Sequence, residues 1–267
     1  MSQELLISYG GDIVEISVCT TNYNCAHALE GHLESVYRQL AGRDFEYIVV
    51  DNRSRDRSWD ILLRWNSTHP NMRIISKRCT MGAGRQIAFH YSIGRFILVL
   101  DTDVVYDPSL RLVVDRYLER FPTVALQTLF CGIFPRERWE AIGGRRSLNT
   151  NEDVDMWIRL WKLGSMKWYP IPVGTNLKES GATGGFDYLS RRYPRRERVT
   201  RLLRREWDFL KTRELQQMNL QEIISSNTVD LGLGKAISPW PQNRTQQTPA
   251  EHFVEIVRLA KQVIRTP

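Results

Sequence analysis

Phe96-Ile97-Leu98-Val99-Leu100-Asp101-Thr102-Asp103 runs from five apolar residues straight into two acids. The apolar part has the length of a strand buried on both faces, and falls far short of the ~20 residues that cross a bilayer. The abrupt change to Asp-Thr-Asp marks where the chain leaves a sheet. Upstream, the same alternation of strand and helix repeats. Val14 to Val18 alternates at period two and reads as a strand, with Thr20-Thr21-Asn22-Tyr23-Asn24 as a polar turn behind it. Leu29, Leu33, Val36 and Leu40 then recur at helical spacing. Phe45 to Val50 is a second strand ending at Asp51. Ser54 or Asp56 is placed to cap the next helix, whose apolar face holds Trp59, Leu62 and Leu63. Met72 to Ile75 gives a third strand and Gly82 to Ser92 a helix.

This β-α-β-α-β-α-β order predicts an α/β fold with a parallel, doubly wound sheet. Ligands of such sheets bind beyond the carboxyl ends of the strands. Thr20, Thr21, Asp51, Asp101 and Asp103 are therefore expected along one edge. Farther on, Val124 to Phe130 reads as a strand, Glu152 to Leu163 as a helix opening on acids, and Met166 to Val173 as extended. Residues 185 to 213 read as helical and basic, 227 to 249 as irregular, and Phe253 to Ile264 as helical again.

The composition fits a globular domain: of 267 residues, 42% are hydrophobic and 25% charged. Cys19, Cys25, Cys79 and Cys131 form no CxxC pair, which argues against a disulfide framework or a zinc site and makes a cytoplasmic location the expectation. The opening Met-Ser-Gln-Glu shows no signal peptide. From Arg191 to Arg213 ten Lys and Arg face three Asp and Glu, an excess of seven that equals the net charge of the whole chain. Val199, Leu202, Leu203, Trp207 and Leu210 lie on one face of that segment. Such a helix either rests on an anionic membrane surface, making the protein peripheral, or packs on the α/β domain with its arginines in solvent. No nucleic-acid motif is present, and no nucleic acid is expected as a partner.

Two carboxylates at i and i+2 after a strand suit a hard divalent cation, although Asp-x-Asp is also ordinary turn chemistry. Asp51 is placed to accept hydrogen bonds from a nucleobase or ribose. Glu152 and Asp153, at a helix start, read either as partners of the helix dipole or as a general base.

Taken together these segments resemble the inverting family 2 glycosyltransferases of the A-type (GT-A) fold, a Rossmann-like and mostly parallel sheet flanked by helices. Ser17-Val18-Cys19-Thr20-Thr21-Asn22-Tyr23-Asn24 is similar to that family's S-V-x-x-P-T-Y-N opening, without its Pro. Val49 to Arg57 resembles V-V-D-(D/N)-x-S-x-D-x. Arg85-Gln86, Gly94 and the strand into Asp101 resemble R-N, G and L-D, with Gln where Asn is usual. Pro108 follows the Asp-x-Asp as expected. Phe134, Arg138 and Gly143-Gly144 look like the segment that shapes the acceptor side, and Glu152 to Leu160 is similar to the E-D motif. The resemblance spans residues 13 to 164.

It implies a sugar transfer from a UDP- or GDP-linked donor to an acceptor glycan, small molecule or lipid phosphate. Thr20, Thr21, Tyr23, Asp51, Arg85, Gln86, Asp101 and Thr102 would form the donor site. Asp103, supported by Asp101, would hold Mn²⁺ or Mg²⁺. Asp153 would be the base, with Glu152 beside it. A downstream His common among relatives is missing, and Asn176, Lys178 or a basic residue of 191–213 is the expected substitute. The implied division is a catalytic domain over 1–185, nucleotide-binding to about 103 and acceptor-binding to about 185, followed by a basic helical extension over 186–267.

Two rival readings remain at this point. Ile97 to Val105 also resembles the nucleophile motif of haloacid dehalogenase-type phosphatases, with Asp101 phosphorylated. The other is a catalytically silent protein that retains nucleotide binding.

Overall fold

The computed structural model describes residues 14–149, 151–177 and 218–233, together with positions 200, 204 and 208. Seven strands form one sheet: β1 (Ile16–Asn22), β2 (Phe45–Asp51), β3 (Met72–Ser76), β4 (Phe96–Leu100), β6 (Ala125–Leu129), β7 (Cys131–Pro135) and β8 (Met166–Pro172). Two short strands, β5 (Val104–Tyr106) and β9 (Gly174–Asn176), pair as a separate ribbon. The helices are α1 (Ala26–Gln39), α2 (Ser58–Thr68), α3 (Met81–His90), α4 (Pro108–Arg120), α5 (Arg136–Ala141), α6 (Glu152–Lys162) and α7 (Leu220–Ser226).

The sheet order is β3-β2-β1-β4-β7-β6-β8. β1, β2, β3 and β4 are parallel, β7 runs against both β4 and β6, and β8 is parallel to β6. The expected doubly wound sheet is therefore present, with β7 the single reversed strand. Two apolar clusters cover its faces. One joins Leu29, Leu33 and Val36 of α1 to Val18, Val49 and Leu98; the other joins Ala88 and Phe89 of α3, Met156 and Leu160 of α6 to Ile48, Val50 and Val99. Apolar residues on both faces explain why β4 reads as an unbroken hydrophobic run.

Several local expectations shift. β1 extends through Asn22 instead of turning at Thr20, because it stays in register with β2 as far as Asn22 opposite Asp51. In α2 it is Ile61 and Leu62 that are buried, while Leu63 is 48% exposed. Neither expected residue is the N-cap of that helix, which is Arg57 without a side-chain bond: Asp56 Oδ1 accepts from Ser58 N at 3.0 Å from one position earlier, and Ser54 closes back onto Asp51. β7 and α4 have no counterpart in the expectations above. α4 begins with Asp107, which accepts from Ser109 N, and a proline in its first turn. β7 follows Phe130, whose positive φ of 69° turns the chain back after β6.

Positions 200, 204 and 208 are helical, but most of the basic segment 191–213, Lys178 and the helix over Phe253–Ile264 lie outside the described residues. Within the expected irregular stretch, Thr228 bridges to Trp168 and 229–233 follow. No helix among the described residues is long and apolar enough to cross a membrane.

Candidate active site

Strand register sets the site. Asn22, Asp51 and Ser76 are neighbours across β1, β2 and β3, and Asp101 follows the end of β4, so the predicted edge exists. Thr20 is the exception. It is fully buried and its Oγ1 donates to the Leu100 carbonyl at 2.6 Å, so the hydroxyl ties β1 to β4. Thr21 and Tyr23 are half-buried at the edge. Thr102 is buried, its hydroxyl directed to the Thr21 carbonyl at 3.5 Å.

Asp51 organises its own loop. Its Oδ1 accepts from Asn22 Nδ2 (2.8 Å) and Ser54 Oγ (2.6 Å), and its Oδ2 accepts from Ser54 N (2.8 Å). This spends the amide of Asn22, whose Oδ1 is buried with no partner among the described residues. A buried carbonyl oxygen without a donor is costly.

The Asp101-Thr102-Asp103 turn is held from below. Tyr106 Oη accepts from Asp101 N (2.9 Å) and donates to the Phe130 carbonyl (2.7 Å). The Asp103 carbonyl accepts from Leu177 N at 2.9 Å, beside the β5–β9 ribbon in which Asn176 faces Val104. Beneath the turn, His32 lies between the Val104 carbonyl (Nδ1, 2.9 Å) and Tyr47 Oη (Nε2, 2.5 Å). Burial drives its pKa down to about 4, so the ring is neutral: Nδ1–H donates to Val104 and Nε2 accepts from Tyr47.

Arg85 connects distant parts of the chain. Its Nη2 meets Asp101 Oδ1 at 2.5 Å and its Nη1 pairs with Glu152 Oε1. α3 reaches this position because two of its residues lack a side chain. A Cβ on Gly84 would overlap Thr21 Cγ2, and one on Gly82 would overlap the Arg146 carbonyl oxygen. Thr80 caps the helix, accepting from Ala83 N at 3.1 Å. Arg145 approaches the same Glu152 oxygen at 3.4 Å, and both Arg85 and Arg145 are buried.

Burial, reinforced by the neighbouring Asp153 charge, pushes the Glu152 carboxyl up to about 7 despite the two guanidinium groups. Burial and the nearby Arg85 charge lower Arg145 to about 10. Burial opposes the Arg85 charge as well, but Glu152 and Asp101 hold its pKa above the ordinary arginine value. Asp153 is half-buried in the first turn of α6, accepting from Val154 N at 2.8 Å.

The structure thus brings Thr21, Tyr23, Asp51, Arg85, Asp101, Thr102, Asp103, Glu152 and Asp153 to one edge. Gln86 turns elsewhere: its Oε1 accepts from Arg145 N (2.7 Å) and Trp139 Nε1 (2.9 Å), bracketing the 139–145 segment. Phe134 and Arg138 also depart from the expected acceptor side. β7 runs away from the edge, so Phe134 faces Ile97 and is buried, and Arg138 Nε donates to the Thr123 carbonyl. Asn22, Tyr106 and Arg145 were not singled out by sequence. Tyr106 and Arg145 lie in no recognisable motif; Asn22 carried a signal only in its place beside Asp51 across the two strand ends.

Sheet order and site define a mostly parallel α/β fold with carboxylates gathered over its carboxyl edge. The sequence model of one family, Glycosyl transferase family 2, matches residues 17–170. This chain belongs to that family.

Among curated proteins it is 31% identical over 94 residues to a poly(ribitol-phosphate) beta-glucosyltransferase of Bacillus spizizenii, a match covering 34% of this chain and 15% of that one. It is 26% identical over 99 residues to a dolichol-phosphate mannosyltransferase of Pyrococcus furiosus, covering 36% and 28%. The matches thus span under a third of either relative. Among solved structures it resembles the mannosyltransferase PcManGT of Pyrobaculum calidifontis, in complex with GDP-Man and Mn²⁺ (TM-score 0.54, 19% identity, 75% of this chain and 64% of that one). It also resembles S. aureus TarS in complex with UDP (TM-score 0.52, 15% identity, 71% and 65%). These likenesses establish the GT-A fold. They leave the phosphatase reading of Asp101 without support, since three β-α units precede that residue in the sheet.

Proposed function

We propose that this chain transfers a hexosyl group from a UDP- or GDP-linked donor to an acceptor hydroxyl or lipid phosphate, by a metal-dependent single displacement with inversion. The observation that carries this reading is the Arg85 bridge, which joins Asp101 to Glu152 across 51 positions of sequence. The donor-side turn and the acidic start of α6 thereby flank one reaction space.

The nucleobase lies at Asp51, the last residue of β2, opposite Asn22 at the end of β1. Thr21 and Tyr23 flank it, with Asp101 supporting the ribose. Asp103 and Asp101 would hold the divalent ion, Mn²⁺ or Mg²⁺. The donor set fits: both are hard carboxylate ligands, two residues apart just after β4. An ion there would complete its shell with phosphate oxygens and water, the habit of Mg²⁺-like cations. When bound, it supplies charge stabilisation to the departing diphosphate.

Asp153 accepts the proton of the acceptor hydroxyl as that oxygen bonds to the anomeric carbon and the bond to the diphosphate breaks. It suits this better than Glu152, whose carboxylate is buried and engaged by Arg85 and Arg145. The donors of the structural relatives and the acceptors named for the curated ones support the substrate classes.

Calorimetric titration of UDP and GDP, with Mn²⁺ and then with EDTA, tests the reading. Metal-dependent binding of one nucleotide, lost in Asp103→Asn, is the expected result. Equal binding in EDTA would refute the metal assignment. Release of nucleoside diphosphate from the sugar donor separates a transferase from a silent binding protein.

A further inference from the structure

Counted along the chain, charge outside 191–213 balances; in space it does not. β2 and β3 are adjacent, so the loops that follow them lie side by side at the carboxyl edge. These loops carry Arg53, Arg55, Arg57, Lys77 and Arg78, all exposed. None of the five makes an ion pair or side-chain hydrogen bond among the described residues. Of the nearby acids, Asp51 is buried within its own loop, whereas Asp56, which accepts from Ala26 N and Ser58 N, and Asp60 are exposed, so five exposed cations face two exposed carboxylates.

The cations sit on a braced platform. Arg55 N donates to Asn24 Oδ1 (2.8 Å), Lys77 N to the Asp51 carbonyl (2.9 Å) and Cys79 N to Asn52 Oδ1 (2.9 Å). Arg53 is held at φ 51°, a left-handed conformation unusual for a long side chain. The platform continues towards α6. Thr80 Oγ1 and Ser147 Oγ are 3.0 Å apart, and Gly82 N donates to the Leu148 carbonyl at 2.9 Å. Arg146, ion-paired with the buried Asp155 at 3.0 Å, keeps 58% of its side chain exposed beside them.

We infer that this rim binds an extended polyanion: an acceptor chain bearing phosphate or carboxylate groups at intervals, laid along the edge so that a hydroxyl meets Asp153. The inference rests on the transferase reading above. Repeated anions on a flexible chain match a line of solvated cations, each phosphate engaged releasing counterions. A membrane fits less well, because a surface that lies on lipid needs an apolar stripe. Met81 is the one exposed large apolar side chain near these loops among the described residues.

The test is fluorescence-anisotropy binding of labelled linear polyphosphate to the full chain across a salt titration. The variant Arg53→Gln/Arg55→Gln/Lys77→Gln/Arg78→Gln is compared with an equal charge loss at Arg38, Arg116, Arg120 and Lys162, on α1, α4 and α6. The rim variant is expected to bind polyphosphate at least about tenfold more weakly, with a salt slope shallower by about 0.7 for each phosphate no longer neutralised. The control variant should match the wild type, and both should keep metal-dependent nucleotide binding.

Wild-type polyphosphate affinity in the rim variant, with nucleotide binding intact, would overturn the rim alone. Loss of nucleotide binding in the rim variant would assign these cations to the donor and overturn it too. Uptake of phosphatidylglycerol vesicles without polyphosphate binding would overturn it in favour of membrane docking. If the wild type binds neither nucleotide, the transferase reading fails, and the acceptor inference fails with it.

Discussion

Removing the Arg85 guanidinium, as in Arg85→Met, strips Glu152 of its closest partner and Asp101 of another. Breaking a buried pair by deleting one member costs about 3–5 kcal/mol, because a buried charge is left uncompensated. Two features reduce that figure. Arg145 stays 3.4 Å from the same Glu152 oxygen, and the Asp101 side chain is 36% exposed, so water replaces much of that interaction. A net loss of about 3 kcal/mol is expected. In a Glu152→Gln background no carboxylate is stranded, and the same substitution should cost only about 1 kcal/mol.

The coupling between the two sites is therefore about 2 kcal/mol, well above the additivity limit for independent residues. Urea unfolding of wild type, both single variants and the double variant measures it directly. Metal-dependent nucleotide titration of the same four proteins reports whether Asp101 remains in place. Costs of Arg85→Met that agree within about 0.5 kcal/mol in the two backgrounds would refute the bridge as the link between the turn and α6.

Other outcomes are equally specific. Asp153→Asn should keep donor affinity while transfer falls by a factor of about 10² to 10⁴; transfer at the wild-type rate would remove Asp153 as the base. Glu152 has a folded pKa of about 7, above its ordinary value of 4.5, so the native state holds the proton more tightly. Its contribution to stability is complete below pH 4.5 and lost as pH rises through 7. Urea midpoints of wild type should thus fall across this window relative to Glu152→Gln, and parallel profiles would contradict the assignment. Gly84→Ala should destabilise by about 1–3 kcal/mol through overlap with Thr21 Cγ2, and Thr21→Ser, which removes that methyl, should restore part of the loss. A Gly84→Ala protein as stable as wild type, judged by its thermal midpoint, would show that α3 and β1 have room to part.

Much of the fold was legible because burial on both faces leaves a plain trace. β2, β3 and β4 appear as short apolar runs, and α1, before β2, repeats Leu29, Leu33 and Val36 at helical spacing. β7 escaped because Cys131-Gly132-Ile133-Phe134-Pro135 joins a preceding strand through a turn at Phe130, and only the left-handed φ there separates the two. Gln86 read as a donor-binding residue because it follows Arg85, yet the next side chain on a helix points about 100° away. Its amide brackets Trp139 and Arg145 instead.

The sequence by itself determined the alternation of strand and helix, the carboxylates at the strand ends and the order of the motifs, because each is written within a few neighbouring residues. Tertiary structure alone decided what lies between them. Arg85 became a bridge only when two glycines let α3 close against β1 and the 146 loop. Arg145 became a buried neighbour of Glu152, and Asn22 presented a lone acceptor beside Asp51. The basic rim likewise arises from packing β2 beside β3, which brings together cations that are about twenty residues apart in sequence. Charge, proximity and burial depend on distances in space, and a linear chain records only distances along itself.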